Sequence, residues 1–297
     1  MKRLKLIVNP SSACGKKLIA LNTILKTLNK NGFEVSIHIS KDFKDLYHTA
    51  RKASKRYKTV VAMGGDGTVN HIANGLAKSR CNLGIIPVGT ANCFASEFNI
   101  PSNPVKACEI IIKGKTRQID LGMINRHYFI GFASLGFDAG IVHDFYKSQD
   151  IKNLSGGKAE LVVPLYIMYG IKKFIETKPV KMVLKIDGKR VPGGYWVVIG
   201  NISRYPGDWR LFPKSKVDDG LLDINVVKSA DLINTIRCVF TTKKGKHLDM
   251  PDLDYHQAKE VIIKSARPVR MQADGEYIGT TPAKIKVVPK ALNLIVP

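Results

Sequence analysis

The stretch on which the fold turns is Thr59-Val-Val-Ala-Met-Gly64-Gly65-Asp66-Gly67-Thr68-Val-Asn70. A short apolar run suited to a buried strand delivers the chain to three glycines. Helical spacing through Val69, Ile72, Ala73 and Leu76 follows at once. Glycines let a backbone approach a ligand closely and take positive φ. A helix start offers free N–H groups and the positive end of its dipole to an anion. Thr68 and Asn70 add short polar side chains. A carboxylate at Asp66 makes sense here if a metal ion lies between it and a phosphate, or if it orients a hydroxyl. The plainer alternative is a glycine-rich turn with Asp66 as the helix N-cap.

On either side of this stretch the pattern repeats. Residues 4–8 form an apolar run ending at Asn9-Pro10, and Leu18, Leu21, Leu25 and Leu28 follow at helical spacing. Residues 33–39 alternate apolar and polar, the period of a half-buried strand, and a basic helix is expected over 42–57. Residues 83–86 lead into a second polar turn, Pro87-Val-Gly89-Thr90-Ala-Asn92, and a last helix ends near Gly114. The first turn, Asn9-Pro10-Ser11-Ser12-Ala13-Cys14-Gly15-Lys16, is not a Walker A loop. Strands alternating with helices imply a parallel sheet, and three polar turns at its C-terminal edge are where a nucleotide is expected.

After about Gly122 the texture changes. Strands are expected at residues 128–133, 181–187, 195–200, 222–227, 261–264, 269–273, 285–288 and 292–296. Asp187-Gly188, Asp219-Gly220 and Asp274-Gly275 supply turns. Helical patterns appear only near 161–174 and 229–240. The fold class is therefore an α/β domain over residues 1–122 and a mostly-β domain over 123–297, expected as a sandwich.

The 297 residues carry 47 Lys+Arg against 24 Asp+Glu, a formal net charge of +23. Residues 1–60 hold 14 basic and 3 acidic side chains. This balance favours an anionic partner: a phosphate ligand, an anionic membrane surface or nucleic acid. With 44% hydrophobic residues the chain is not a disordered polycation. Five scattered cysteines without a CxxC pair suggest reduced thiols in a cytoplasmic protein rather than a disulfide frame or zinc site. No apolar run approaches ~18 residues, so no membrane span is expected, and the apolar start is too short for a signal peptide.

The segments GGDGTVNHIANGL, PVGTAN, DLGMIN, GFASLGFDA, VDDGLLDI and MQADGE occur in this order over nearly the whole chain. Together they resemble the diacylglycerol-kinase-type lipid kinases, which include bacterial diacylglycerol kinases and sphingosine kinase relatives. GGDGT alone is shared with NAD kinases and phosphofructokinases; the later segments make the resemblance specific. It implies an ATP-binding domain of the NAD-kinase/diacylglycerol-kinase kind and a sandwich whose last strand packs back on it. It implies transfer of the γ-phosphate of ATP to a lipid hydroxyl with Mg2+. Asn9, Ser40, Gly65, Asp66, Gly67, Thr68, Asn70 and Thr90 would surround the nucleotide. Asp66 and Asp120 would hold a magnesium–water network at the phosphates. Asp219 would ligate a second, structural magnesium with the carbonyls of Lys216 and Leu221. Glu276 would be the general base. The turn at Asp274-Gly275-Glu276 also reads, without the family, as a hairpin with two solvated acids.

Some positions depart from the family pattern: His71 stands where a Glu is common, Cys93 where an Asp is, and Pro206-Gly207-Asp208 where glycines run. The apolar stretch 161–169 suits an acyl-chain cavity or ordinary core. The basic stripe Arg51, Lys52, Lys55, Arg56 and Lys58 on its expected helix is a solvated face or a contact with an anionic membrane surface. The expected partners are thus a membrane lipid and that surface, from a cytoplasmic, peripherally associated protein, with a homodimer compatible. Nucleic acid is not expected, because no recognised module or aromatic platform appears. The alternatives are a soluble-substrate kinase of the NAD-kinase kind and a lipid- or nucleotide-binding regulator without catalysis.

Overall fold

The structure, a computed structural model, describes residues 2–10, 16–89, 91–137, 139–141, 170, 179–205, 209–243 and 245–297. Thr90, residues 11–15 of the first turn, residues 206–208 and the expected helix at 161–174 (except residue 170) lie outside the described residues. Two compact units are resolved, residues 1–121 with 289–297, and residues 122–288.

The first unit alternates strand and helix: β1 (Lys2–Val8), α1 (Lys16–Lys30), β2 (Phe33–Ile39), α2 (Phe43–Ala53), β3 (Thr59–Gly64), α3 (Asp66–Leu76), β4 (Asn82–Pro87), α4 (Cys93–Glu97) and α5 (Pro104–Lys113). β1 runs parallel to β2 and β3, and β3 parallel to β4. Val60, Val61, Ala62 and Met63 are fully buried, as a strand covered on both faces requires. Ile24 and Leu28 of α1, Leu46 and Ala50 of α2 and Ile72 and Leu76 of α3 supply buried helix stripes. Asn103 caps α5 by accepting from Val105 and Lys106 N–H, and Gly114 at φ 68 ends it.

β5 (Thr116–Ile124) was not marked by periodicity, because three exposed residues precede its buried ones. The second unit contains β6 (His127–Phe129), β7 (Phe132–Gly136), β8 (Met182–Ile186), β9 (Lys189–Val191), β10 (Trp196–Gly200), β11 (Arg204–Tyr205), β12 (Trp209–Arg210) and β13 (Leu222–Val227). It continues with α6 (Leu232–Thr242), a 3-10 turn (Lys246–Asp249), β14 (Leu253–Ala258), β15 (Glu260–Ser265), β16 (Arg270–Ala273), β17 (Glu276–Thr280) and β18 (Ala283–Ile295), whose last residues belong to the first unit. One antiparallel sheet has the order β14-β13-β10-β7-β16-β17; in another layer β18, β15, β8 and β9 pair antiparallel. Leu135, Ile199, Ile224 and Met271 from the first layer and Leu184, Ile263 and Ile285 from the second share one core. The α/β domain and the β-sandwich are both as expected.

Three local expectations need correction. The strand expected at 128–133 is two strands, because the N–H groups of Ile130, Gly131 and Phe132 turn to the Asp274 carboxylate. The strands expected at 285–288 and 292–296 are one, β18, which carries Lys290 at φ 50 and in the first unit pairs parallel with β4 through Asn293 and Leu294. The basic helix stops at Ala53: the N–H groups of Lys55 and Arg56 bond to the carbonyls three residues back, those of Lys52 and Ala53, so both cations sit on a closing turn.

Candidate active site

Register brings four strand ends together. Val8 is level with Ile39 and Met63, and Gly64 with Pro87, so the residues following β1, β2, β3 and β4 form one edge. Asn9, Ser40, Gly65, Asp66, Gly67 and Thr68 all lie there. Asn9 Nδ2 donates to Thr68 Oγ1 at 2.9 Å, and Ser40 Oγ donates to the Val8 carbonyl at 3.2 Å. Asn9, Ser40, Thr68 and Asn70 are all buried. Thr90 lies outside the described residues.

Gly64, Gly65 and Gly89 are required here by contact. None of Gly64, Gly65, Gly67 and Gly89 has positive φ, contrary to expectation. A Cβ on Gly64 would sit 2.3 Å from Thr68 Oγ1, and one on Gly89 would sit 2.4 Å from the Gly65 Cα. The two glycine turns touch through their backbones, and Val88 N–H donates to Gly64 O at 3.0 Å. Asn92, at φ 51, holds the second turn closed: it accepts from Gly89 N–H at 2.9 Å and donates to Gly89 O at 2.8 Å. Motif reading did not single out Asn92; its signal is an Asn, tolerant of the left-handed region, just before a helix.

Asp66 is not the N-cap. Gly65 holds that position and has no side chain to offer, so the first N–H groups of α3 have no side-chain cap. Those donors and the dipole make an anion site. Asp66, the first helical residue, accepts instead from Phe94 N–H at 3.0 Å and so ties α3 to α4. Asn70 accepts from Asn74 Nδ2 at 2.9 Å along the same helix. His71 stacks on Phe43 with ring centroids 4.8 Å apart at 20°. Cys93 is buried.

The buried carboxylate of Asp120 accepts from Lys290 N–H at 2.7 Å, and the adjacent Ala291 O accepts from Lys78 N–H, beyond the far end of α3. Asp66 opens that helix, whose eleven residues span about 16 Å. The first-turn carboxylate of Asp66 suits a magnesium-bound water beside a phosphate. No cluster of three or more His, Cys, Asp or Glu that could hold a metal occurs among the described residues.

In the second unit Glu276 opens β17. Register sets Glu276 beside Ala273, Ala273 beside Ala133, Phe132 beside Gly200, and Gly200 beside Asp223. Glu276, Asp274 and the Asp219 loop therefore share one edge of the six-stranded sheet. Asp274, at φ 46 in the hairpin, is not a solvated acid: it accepts from Ile130, Gly131 and Phe132 N–H at 2.8, 3.0 and 2.8 Å. Gln272 accepts from Gly275 N–H and donates to Ser134, which further fixes the turn that carries Glu276.

Asp219 accepts from Leu221 N–H at 3.0 Å in a turn made possible by Gly220 at φ 75. One carboxylate and the carbonyls of Lys216 and Leu221 are hard oxygen donors that fit magnesium. Asp219 precedes β13 and Glu276 opens β17, four strands away in the sheet order, so a metal held by Asp219 would act on its own loop. Beneath the loop, buried Asp223 accepts from Tyr255 Oη and from Gln257 Nε2 at 3.1 Å. Burial, with the Asp219 charge near it, pushes the Asp223 carboxyl above the usual carboxylate range despite those bonds.

Residues 3–124 match the family model of the diacylglycerol kinase catalytic domain, and residues 155–296 that of the YegS C-terminal NAD kinase beta sandwich-like domain. The chain is similar to a diacylglycerol kinase of Bacillus subtilis (strain 168), 30% identical over 304 residues that cover 100% of this chain and 97% of the relative. A diacylglycerol kinase of Staphylococcus aureus (strain JH9) is 30% identical over 302 residues, covering 100% and 93%. A solved chain from Bacillus anthracis str. Sterne, provisionally assigned as a diacylglycerol kinase, is similar with a TM-score of 0.80 at 27% identity, over 100% of this chain and 97% of its own.

Proposed function

We propose a reaction from one premise: this chain belongs to the diacylglycerol kinase family. It is a lipid kinase, a phosphotransferase whose acceptor is an alcohol group. The finer reading is that ATP donates its γ-phosphate to the free hydroxyl of diacylglycerol, with Mg2+, at an anionic membrane surface that supplies the lipid. No helix among the described residues is long and apolar enough to cross a membrane.

The observation that carries the reading is the shared edge of Asn9, Ser40, Gly64 to Thr68 and Gly89, with the uncapped start of α3. The touching glycine backbones put no Cβ over the α3 N–H groups, so phosphate oxygens can reach them. Asp66, held by Phe94 N–H, stands in the first turn where it can orient magnesium-bound water. Magnesium there would offset the charge that develops on the transferring phosphate. Glu276 would accept the hydroxyl proton as the oxygen attacks, and the Asp274 hairpin keeps its backbone in place for that. Asp219, Lys216 and Leu221 would hold a second magnesium that stiffens their loop. Asp120, which accepts from Lys290 N–H, would contribute to the magnesium–water network at the phosphates. The soluble-substrate and non-catalytic alternatives gain no support from relatives that are named diacylglycerol kinases over the full chain.

Asp66→Asn keeps an oxygen for Phe94 N–H, and Glu276→Gln keeps the shape of its strand. Each should lower turnover of diacylglycerol at least ~100-fold with unfolding midpoints near the parent's. Near-parental rates in both variants would remove these roles.

A further inference from the structure

The outer face of the layer formed by β18, β15, β8 and β9 has no place in the reaction. Alternation is strict there: Met182, Leu184 and Ile186 point into the core while Val183 and Lys185 point out. Register aligns Arg190, Lys185, Ile262 and Lys284 in one row across the four strands. Lys264 lies opposite Val183, and Lys286 opposite Glu260. Five cations thus share a face with a single acid, Glu260, which pairs with Lys284 at 2.9 Å. Lys185, Arg190, Lys264 and Lys284 are exposed, and Val183 is 44% exposed among them.

This arrangement has a cost. Lys185 and Arg190 are directly opposite each other in the ladder, and like charges so placed destabilise a sheet. An anionic surface laid against the face relieves that repulsion. Phosphate headgroups would meet the cations, and the Val183 and Ile262 methyl groups would lie between them. These strands carry no aromatic side chain on which a nucleic-acid base could stack. The basic segment at the end of α2 is less suited, since its cations are divided between the last helical turn and the turn that follows.

We propose that this sheet face is where the protein docks on an anionic phospholipid bilayer, a proposal that rests on the lipid-kinase reading above. The test is co-sedimentation with vesicles of pure phosphatidylcholine and of an equal mixture of phosphatidylcholine and phosphatidylglycerol. The unmodified protein should favour the anionic vesicles. The triple variant Lys185→Gln, Arg190→Gln, Lys264→Gln should lose about 100-fold in partitioning, at about fivefold per cation. Lys185→Gln alone should lose about fivefold, which decides the matter if the triple variant fails to fold. Arg51→Gln with Lys52→Gln and Lys55→Gln should stay within about twofold of the parent. Phosphorylation of diacylglycerol in neutral detergent micelles should be unchanged in the sheet variants; its absence from the parent protein would instead refute the kinase reading. Four results overturn the proposal: no preference for anionic vesicles, parental binding by the sheet variants, equal loss in the α2 set, or tighter binding to duplex DNA than to the anionic vesicles.

Discussion

At the scale of single residues, the glycine turns show why a motif has its composition. Gly65 and Gly89 stand in the turns that follow neighbouring strands, and their backbones approach so closely that a Cβ on Gly89 would lie 2.4 Å from the Gly65 Cα. Backbone cannot step aside as a flexible side chain can, so Gly89→Ala should destabilise the protein by about 2 kcal/mol or more, measured by urea unfolding, and raise the KM for ATP. Asp274 presents the opposite case, an acid whose work is structural. Asp274→Ala strands three backbone N–H groups, a loss of about 3 kcal/mol, whereas Glu276→Gln two residues later should leave the unfolding midpoint unchanged. The importance of residues 64–70 was legible from glycines placed between a strand and a helix. What was not legible was the partner of each group: Phe94 for Asp66, Gly65 for Gly89, and the loop at residues 130–132 for Asp274. Those partners lie 24 or more residues away in sequence, and only the completed sheets bring them close.

At the scale of elements, long runs with a clear period were read correctly and short or interrupted ones were not. β1 to β4 and their helices follow from buried runs and glycine punctuation. β14 escaped notice because its polar residues serve partners on β13 and beside it: Tyr255 and Gln257 donate to buried Asp223, and Asp254 pairs with Lys228 at 2.8 Å. α2 ended early because Lys55 and Arg56 N–H bond three residues back, to Lys52 and Ala53 O, a tightening that helical spacing of cations does not forecast. The 3-10 turn before β14 carries fully buried His247, whose Nε2 meets Leu211 O at 2.9 Å while Nδ1 has no hydrogen-bond partner among the described residues. Burial holds its imidazole below the ordinary value of 6.5. The unfolded chain therefore binds a proton that the folded chain resists, and stability falls as pH drops below about 6.5. Urea unfolding from pH 7.5 to 5 should show that slope, and His247→Gln, whose amide can still donate to Leu211 O, should flatten it.

At the scale of the whole molecule, an α/β unit and a sandwich place the proposed chemistry on two sheet edges. One edge gathers backbone N–H groups and short polar side chains for phosphate; the other carries Glu276 on a hairpin fastened by Asp274 and Gln272. The net charge of +23 does not select a partner by itself. Register does more, because it concentrates five of those cations on one open sheet face. The most direct test supplies purified protein with ATP labelled in the γ-phosphate, magnesium, and diacylglycerol in neutral detergent micelles, and follows the label. The account predicts labelled phosphatidic acid from the parent protein and at least ~100-fold less from Asp66→Asn. Label that never enters the lipid, while the folded protein passes phosphate to a soluble acceptor such as NAD or to none, would contradict it.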